Sequence, residues 1–540
     1  MLKKTKLMKC LIILLLTNFA ANFTLASEFS AVRIKDVSAG QYSYPHPTDT
    51  IISPSNAAAE LLNIDIDRIG IRSKRKGYVL IADDLGSVKI AGLSSFNPSG
   101  GSRLLAAESN GTVYTWDGLA SVWTSSKDGL TAQDQSDLVV AGNKIFRLSQ
   151  TDDIWSFNGS TWTDELNTNT DFPKVKMALW TSTQRMLAAN SVAYPHFLYY
   201  SNSGDPQTWD RTTNAYKIGQ NNADGVTGLI EFTNSEVITF TNDAMYLLDI
   251  SNTDATKWTQ AKIADIGCIA HRTVKQMGED VLFLSSDGVR SIAQSAQDKK
   301  RGVSLPLSYP IQDWIDRINW QYVSNACAGV WQDKYYLSVP IDTTYNSYTF
   351  VFSRRAFEAN GNKGGWTIYE NCKFNDYAMQ AFSGYPTKFY VGKASADGKV
   401  YQFRSLNPTN DATSDDGTAI TYSETSKRYH LGVPEVENTY EMLEVELAIQ
   451  TSGTLKVEAQ IDGSGWITLG SFSQEGNFPH LPIDLPFTLV GQNIKRKKYD
   501  LSRLGRGRDI QLRFTEATLD APVDIYNCLI TGFTEAIQWE

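Results

Sequence analysis

The chain contains five histidines, His46, His196, His271, His430 and His480, and no two stand at a spacing that would place them on one metal. There is no HExxH, no GxSxG nucleophile elbow, and no glycine-rich phosphate loop ending in Lys-Ser or Lys-Thr. Beyond Cys10, the thiols Cys268, Cys327, Cys372 and Cys528 are far apart and form no CxxC pair. That pattern disfavours zinc, and a domain this large does not need disulfides, so buried, reduced thiols are expected. The paired carboxylates Asp65/Asp67 and Asp415/Asp416 are the remaining acid–base candidates, and solvated surface loops are the simpler expectation for both. No catalytic residue, cofactor or metal is expected, and the chain reads as a non-enzyme.

The charges are more informative. Lys495, Arg496, Lys497, Lys498, Arg503, Arg506 and Arg508 place seven cations within fourteen residues of a chain whose net charge is −9. Arg68, Arg72, Lys74, Arg75 and Lys76 form a second cluster ahead of the first regular strand. Each could be a patch that contacts a partner protein or DNA phosphates, or simply a solvated loop. The acidic balance argues against nucleic-acid binding over the whole surface.

The elements that must hold these residues are β. Residues 113–124 read VYTWDGLASVWT and residues 154–163 read IWSFNGSTWT, with Trp116 and Phe157, and likewise Gly118 and Gly159, 41 residues apart. Each copy joins an aromatic strand, an Asp-Gly or Asn-Gly turn, and a second strand carrying Trp123 or Trp162. Such dipeptides suit tight hairpins because both central residues can adopt positive φ. A period near 40 residues, with several short strands per unit, marks propeller blades. The sequons at Asn110 and Asn158 coincide with turns, and turn chemistry accounts for them.

Further strand pairs read at 281–292, 330–340 and 389–403, so residues 61–415 are expected to form an all-β propeller of six to eight blades. Residues 27–60, with Pro45, Pro47 and Pro54, read as an extended arm with a brief helical hint at 57–62. Polar residues 407–418 read as a linker, and beyond it the alternation becomes cleaner. Leu443, Val445, Leu447 and Ile449 share one face, as do Leu455, Val457, Ala459 and Ile461, and Ile510, Leu512 and Phe514 repeat the pattern. Residues 416–540 are therefore expected as a separate C-terminal β-sandwich.

Residues 1–26 resemble a secretory signal: four lysines, an apolar run at 11–16, and Thr24, Leu25 and Ala26 at a small-residue cleavage site. The run is too short to span a membrane as a helix. Removing the segment would take the net charge to −9 − 4 = −13. A misassigned start codon is the rival explanation. Residues 203–209, SGDPQTW, partly resemble the Asp-box hairpin of sialidase-type propellers, with Gln207 in place of its glycine and no second copy.

Several longer phrases resemble the tail hub or nozzle proteins of short-tailed phages, the packaged-DNA stabilisation family. They are AAELLNIDIDRIGIRSKRKGY (57–78), YPHFLYYSNSGDPQTWDRTTN (194–214), GLIEFTNSEVITF (228–240), IGCIAHRTVKQMGEDVLFLSSDGVRSI (266–292), SKRYHLGVPEVENTYEMLEVEL (426–447) and GRGRDIQLRF (505–514). The resemblance spans roughly residues 31–540. It implies a structural virion protein, assembled in the host cytoplasm as a hexameric ring below the portal and its adaptor. Such a ring extends the conduit for double-stranded DNA without sequence-specific binding and retains the packaged genome. An acidic lumen wall would keep phosphates from adhering. The leader departs from that family, since a virion protein should not be exported. The alternative is an exported or periplasmic bacterial β-propeller that binds glycan or protein in a funnel at the propeller axis, with no membrane segment in its mature form.

Overall fold

The computed structural model describes residues 28–43, 54–66, 70–99, 101–219, 225–295, 305–407, 409, 411–432, 436–450, 452–475 and 494–534. The signal-like leader, His46, Arg68, Asp67 and His480 lie outside the described residues.

The repeated phrase forms equivalent parts of successive blades. Trp116 ends the strand Val113–Trp116 and Phe157 ends Trp155–Phe157, each the third strand of a four-stranded antiparallel sheet. In each turn only the glycine has positive φ, +92° at Gly118 and +99° at Gly159. The residue before it works through its side chain instead of its backbone. Asp117 Oδ1 accepts from the N–H of Leu119 and Ala120, and Asn158 Oδ1 from those of Ser160 and Thr161. These are Asx turns rather than the expected hairpin with two left-handed residues. A Cβ on Gly118 would meet the Phe382 ring, and one on Gly159 would meet Pro98. Phe382 and Pro98 each lie two residues beyond the innermost strand of the neighbouring blade. The phrase thus repeats an inter-blade contact as well as a turn.

Seven innermost strands follow one another around an axis: Ile90–Phe96, Leu138–Ala141, Met177–Trp180, Gly228–Thr233, Lys275–Met277, Cys327–Trp331 and Phe374–Gln380. The last packs against the first and closes the circle. Six blades are freestanding sheets, whereas the sheet at 327–370 continues into the second domain as part of a ten-stranded sheet. The final blade, at 374–405, takes its outermost strand, Val79–Leu80, from the start of the propeller. This pairing fastens the ring. The chain is all-β, a propeller joined to a β-sandwich, as its patterning implied.

The sandwich is not wholly C-terminal. Glu28–Ile34 pairs antiparallel with Asp524–Thr534 over its full length, and Ala57–Leu62 pairs with Tyr422–Ser426. Residues 28–43 and 54–66 therefore supply strands to both layers instead of an extended arm. The helical hint at 57–62 fails because the pairing partners on both sides override the modest helix preference of Ala and Leu. One core joins Ile34, Leu61 and Ile64 from the N-terminal segment to Leu443, Val457, Leu512 and Ile530, all buried. Each such side chain contributes roughly 1.5–3 kcal/mol on leaving water. The propeller is an insertion between the two halves of this sandwich.

Candidate functional site at the propeller axis

The residues that begin the inner strands converge at one mouth of the ring. Asp137 immediately precedes Leu138–Ala141, Lys176 precedes Met177–Trp180, and His271 and Arg272 lie just ahead of Lys275–Met277. Arg272 is 6% exposed and acts as a crosspiece. Its Nη2 donates to Ala91 O at 2.8 Å and Ser136 O at 3.0 Å, and its Nη1 to Asn375 O at 3.3 Å. One side chain from the fifth blade therefore binds backbone of the first and seventh blades and of the entry to the second. Gly92 permits the approach, since a Cβ there would lie 1.9 Å from Ser136 O.

Asp137 accepts from Arg272 Nε at 2.8 Å and lies 2.7 Å from His271 Nε2. Burial would raise the Asp137 carboxyl, but His271 and Arg272 outweigh it and hold the group far below the usual carboxylate range. Burial pushes His271 down, and the cations Lys176 and Arg272 add to that effect against the pull of Asp137. Lys176 is likewise lowered, first by burial and then by Arg272. At neutral pH the mouth thus presents an ionised carboxylate beside a neutral imidazole.

Asp137, Lys176 and His271 line a pocket of about 290 Å³ together with Gln133, Gln135, Gln150 and Asn325. The amides, the carboxylate and Lys176 make a set of donors and acceptors suited to a polar ligand. Among the described residues no hydroxyl or thiol hydrogen-bonds His271, as a nucleophile–base pair would require. Gln150 also lines a second, more apolar cleft of about 760 Å³ whose wall includes Tyr194, Phe197 and Tyr199. Neither Asp137 nor Lys176 stands out in the sequence. The available signal was positional, a polar residue just ahead of an inner strand.

The first basic cluster is interior, which corrects its reading as a contact patch. Arg72 is 1% exposed and pairs with Glu424 at 2.9 Å. Lys74 pairs with Glu516 at 2.7 Å. Arg75 grips both oxygens of Asp415, at 2.7 and 2.6 Å, and also donates to Asn63 Oδ1 and Glu370 O. Only Lys76 remains half-exposed. The surface-loop expectation fails for Asp415 and also for Asp65, which is buried against Lys334 at 2.6 Å and accepts from the Tyr369 hydroxyl. Burial raises Asp65, yet Lys334 and Arg404 prevail and bring it down to about 2. A carboxylate can be buried here because each is delivered to a cation.

The second cluster is exposed. Ile494–Asp500 is an edge strand paired with Asn438–Ala448, and its register sets Arg496 opposite Glu446 and Lys498 opposite Glu444. Those pairs close at 2.6 and 3.3 Å. Lys495 donates to Ser473 O and Glu475 O, and Arg503 to Thr468 O and Leu469 O. Lys497, Arg506 and Arg508 are solvent-facing.

The remaining sequence features have structural roles. Asp205 caps Gln207 N and Thr208 Oγ1, Gln207 donates to buried Glu165 of the preceding blade, and Trp209 packs on Phe172. The Asp-box-like turn therefore links two blades. Cys268, Cys327, Cys372 and Cys528 are buried and unbridged, and burial pushes the thiols of Cys268 and Cys372 up to about 12. Among the described residues no group of three or more His, Cys, Asp or Glu could hold a metal ion, and no helix is long and apolar enough to cross a membrane.

No protein-family model and no curated protein sequence matches the chain. Solved structures similar in fold include BamB from Moraxella catarrhalis, at 11% identity over 69% of this chain and 96% of that one, with a TM-score of 0.36. The C-terminal WD40 domain of Sif2 matches at 12% identity over 61% of this chain and 98% of its own, with a TM-score of 0.34. YCF48 bound to D1 peptide matches at 11% identity over 62% and 97%, with a TM-score of 0.35. The likeness concerns the propeller architecture alone.

Proposed function

We propose that this protein is a non-enzymatic structural component of a short-tailed phage virion, a tail hub or nozzle subunit. Copies of it form a ring below the portal and adaptor, extending the DNA conduit and retaining the packaged genome. The observation that carries the reading is the crosspiece at the propeller axis. Arg272 bridges the mouth of the ring, so a duplex has to pass between assembled subunits and not through one of them. The sheet shared by propeller and sandwich, together with the buried ion pairs at 72–75, makes the subunit one stiff body suited to a load-carrying wall. The phrase resemblance over residues 31–540 supports the same reading, and the net charge of −9 suits a conduit that DNA must not adhere to.

Light scattering and negative-stain microscopy of the chain expressed from Ser27, alone and with a portal–adaptor complex, test the proposal. Rings or portal binding are expected. A monomer indifferent to the portal complex overturns it.

The axial pocket favours a second reading, an exported propeller that binds a polar ligand such as a glycan. Its Asp137, Lys176 and amide lining is a binding surface already in place. N-terminal sequencing of protein from the native host separates the two. A chain beginning at Ser27 supports export, and one that keeps the leader supports the virion.

A further inference from the structure

Lys176 stands apart from its neighbours in the axial pocket. Its backbone is fixed, with its N–H donating to Asn190 O at 3.2 Å and the buried Val175 and Met177 on either side. Its side chain lines the pocket, yet Nζ has no hydrogen-bond partner and no carboxylate within ion-pair distance among the described residues, and it is not sealed from solvent. Both acids of the wall are taken, Asp137 by His271 and Arg272, and Asp134 by Lys89 at 2.5 Å. The buried lysines elsewhere among the described residues are spent: Lys74 on Glu516, Lys334 on Asp65, and Lys427 on Pro54 O over the Tyr429 ring.

Burial lowers Lys176; Asp137 opposes that and Arg272 adds to it, and the balance stays below the ordinary lysine value. A lysine amine that is partly desolvated beside another cation is a nucleophile towards carbonyl carbon. Three amides of the same wall have spent their nitrogens on protein carbonyls. Gln135 Nε2 donates to Ser324 O at 2.6 Å, Gln150 Nε2 to Asn190 O at 2.7 Å, and Asn325 Nδ2 to Thr344 O at 3.1 Å. Their oxygens have no donor among the described residues and keep contact with solvent. An amide oxygen only accepts, so these positions suit hydroxyl groups.

We infer that the axial pocket captures a small polyhydroxylated aldehyde, such as the open-chain form of a reducing sugar, as a reversible imine on Lys176. The Nζ lone pair forms the C–N bond while the carbonyl π pair moves to oxygen. Both amine protons pass to that oxygen, which leaves as water when the nitrogen lone pair closes the C=N bond, so nothing is oxidised or reduced. With Nε2 held by Asp137, His271 Nδ1 has no partner among the described residues and is a base in the same pocket for these transfers. The ligand's hydroxyls donate to the free oxygens of Gln135, Gln150 and Asn325. This rests on the second reading above, the axial pocket as a ligand site, and adds the ligand's class and its covalent bond.

The test is to incubate the full chain at neutral pH with glyceraldehyde and cyanoborohydride, whose hydride reduces the imine to a stable secondary amine, and to map the product by peptide mass spectrometry. Labelling of Lys176 ahead of solvent-facing lysines such as Lys497 is expected. Propionaldehyde, which lacks the hydroxyls, should give a smaller excess over Lys497. Lys176→Arg keeps the charge and should lose the label at this position while the other lysines react as before. Calorimetric titration with sorbitol, which has hydroxyls and no carbonyl, reads the pocket apart from the amine. Lys176 labelled no faster than Lys497 overturns the inference: if sorbitol still binds, the ligand-site reading survives, and if sorbitol does not bind, both fall. An excess just as large with propionaldehyde overturns the hydroxylated class.

Discussion

The two basic clusters have nearly the same composition and opposite fates. Arg72, Lys74 and Arg75 are enclosed by acids 352, 442 and 340 residues away in sequence, whereas Arg496 and Lys498 meet theirs across one strand pairing on an open face. Cation density does not distinguish them. Position in the sheet does: the strand Arg72–Lys74 is covered by the second layer, and Ile494–Asp500 is an edge. In the interior an ion pair fixes which segments belong together, because a cation without its acid would be an uncompensated buried charge. At the edge, the same residues keep a row of unpaired backbone groups from recruiting another strand.

The sharpest way to break this contrast is Arg75→Ala. It strands Asp415 and should destabilise the protein by about 3–5 kcal/mol in denaturant unfolding. Replacing both partners, as in Arg75→Met with Asp415→Leu, should recover most of that loss, and a double mutant no better than the single would show that the pair is not the source. Asp65 extends the interior side of the comparison to pH. Its folded value of about 2 lies below the ordinary 3.8, so its contribution is complete above pH 4 and is lost as the pH falls through 2. Asp65→Asn should therefore cost about 2 kcal/mol at neutral pH and flatten the acid limb of the stability profile over that window.

On the exposed side, replacing Lys495, Lys497 and Lys498 with threonine should leave the unfolding midpoint nearly unchanged and promote self-association visible by size-exclusion chromatography. Arg496→Ala should cost only about 0.2–1 kcal/mol, and less at high salt. A loss at Arg496 as large as that at Arg75 would erase the distinction between the clusters.

Local features were readable from the sequence and non-local ones were not. Alternation marked Leu455, Val457 and Ala459 as one buried face, and the spacing of Gly118 and Gly159 marked a repeat, because both signals lie within a few residues of each other. The turn type was misjudged because an Asp or Asn side chain can cap a turn without its own backbone entering the left-handed region. Nothing local says that Glu28–Ile34 belongs beside Asp524–Thr534, or that Asp65 and Asp415 are neutralised from afar. The axial site was hidden for the same reason: Asp137, Lys176 and Arg272 become neighbours only when separate blades close into a circle.

The pairing of the first strand with the last also sets a timetable for synthesis. Ser30 and Thr534 touch although they are 504 residues apart, so a nascent chain carries Glu28–Ile34 and Arg72 unpaired until strands beyond the propeller are translated. The blades between them draw on closer neighbours and can mature first, as domains generally do during translation. A ribosome that stops before residue 524 releases a propeller whose sandwich cannot close, exposing unpaired strands to the cell's proteases. The seam between Glu28–Ile34 and Asp524–Thr534 thus joins segments made before and after every blade.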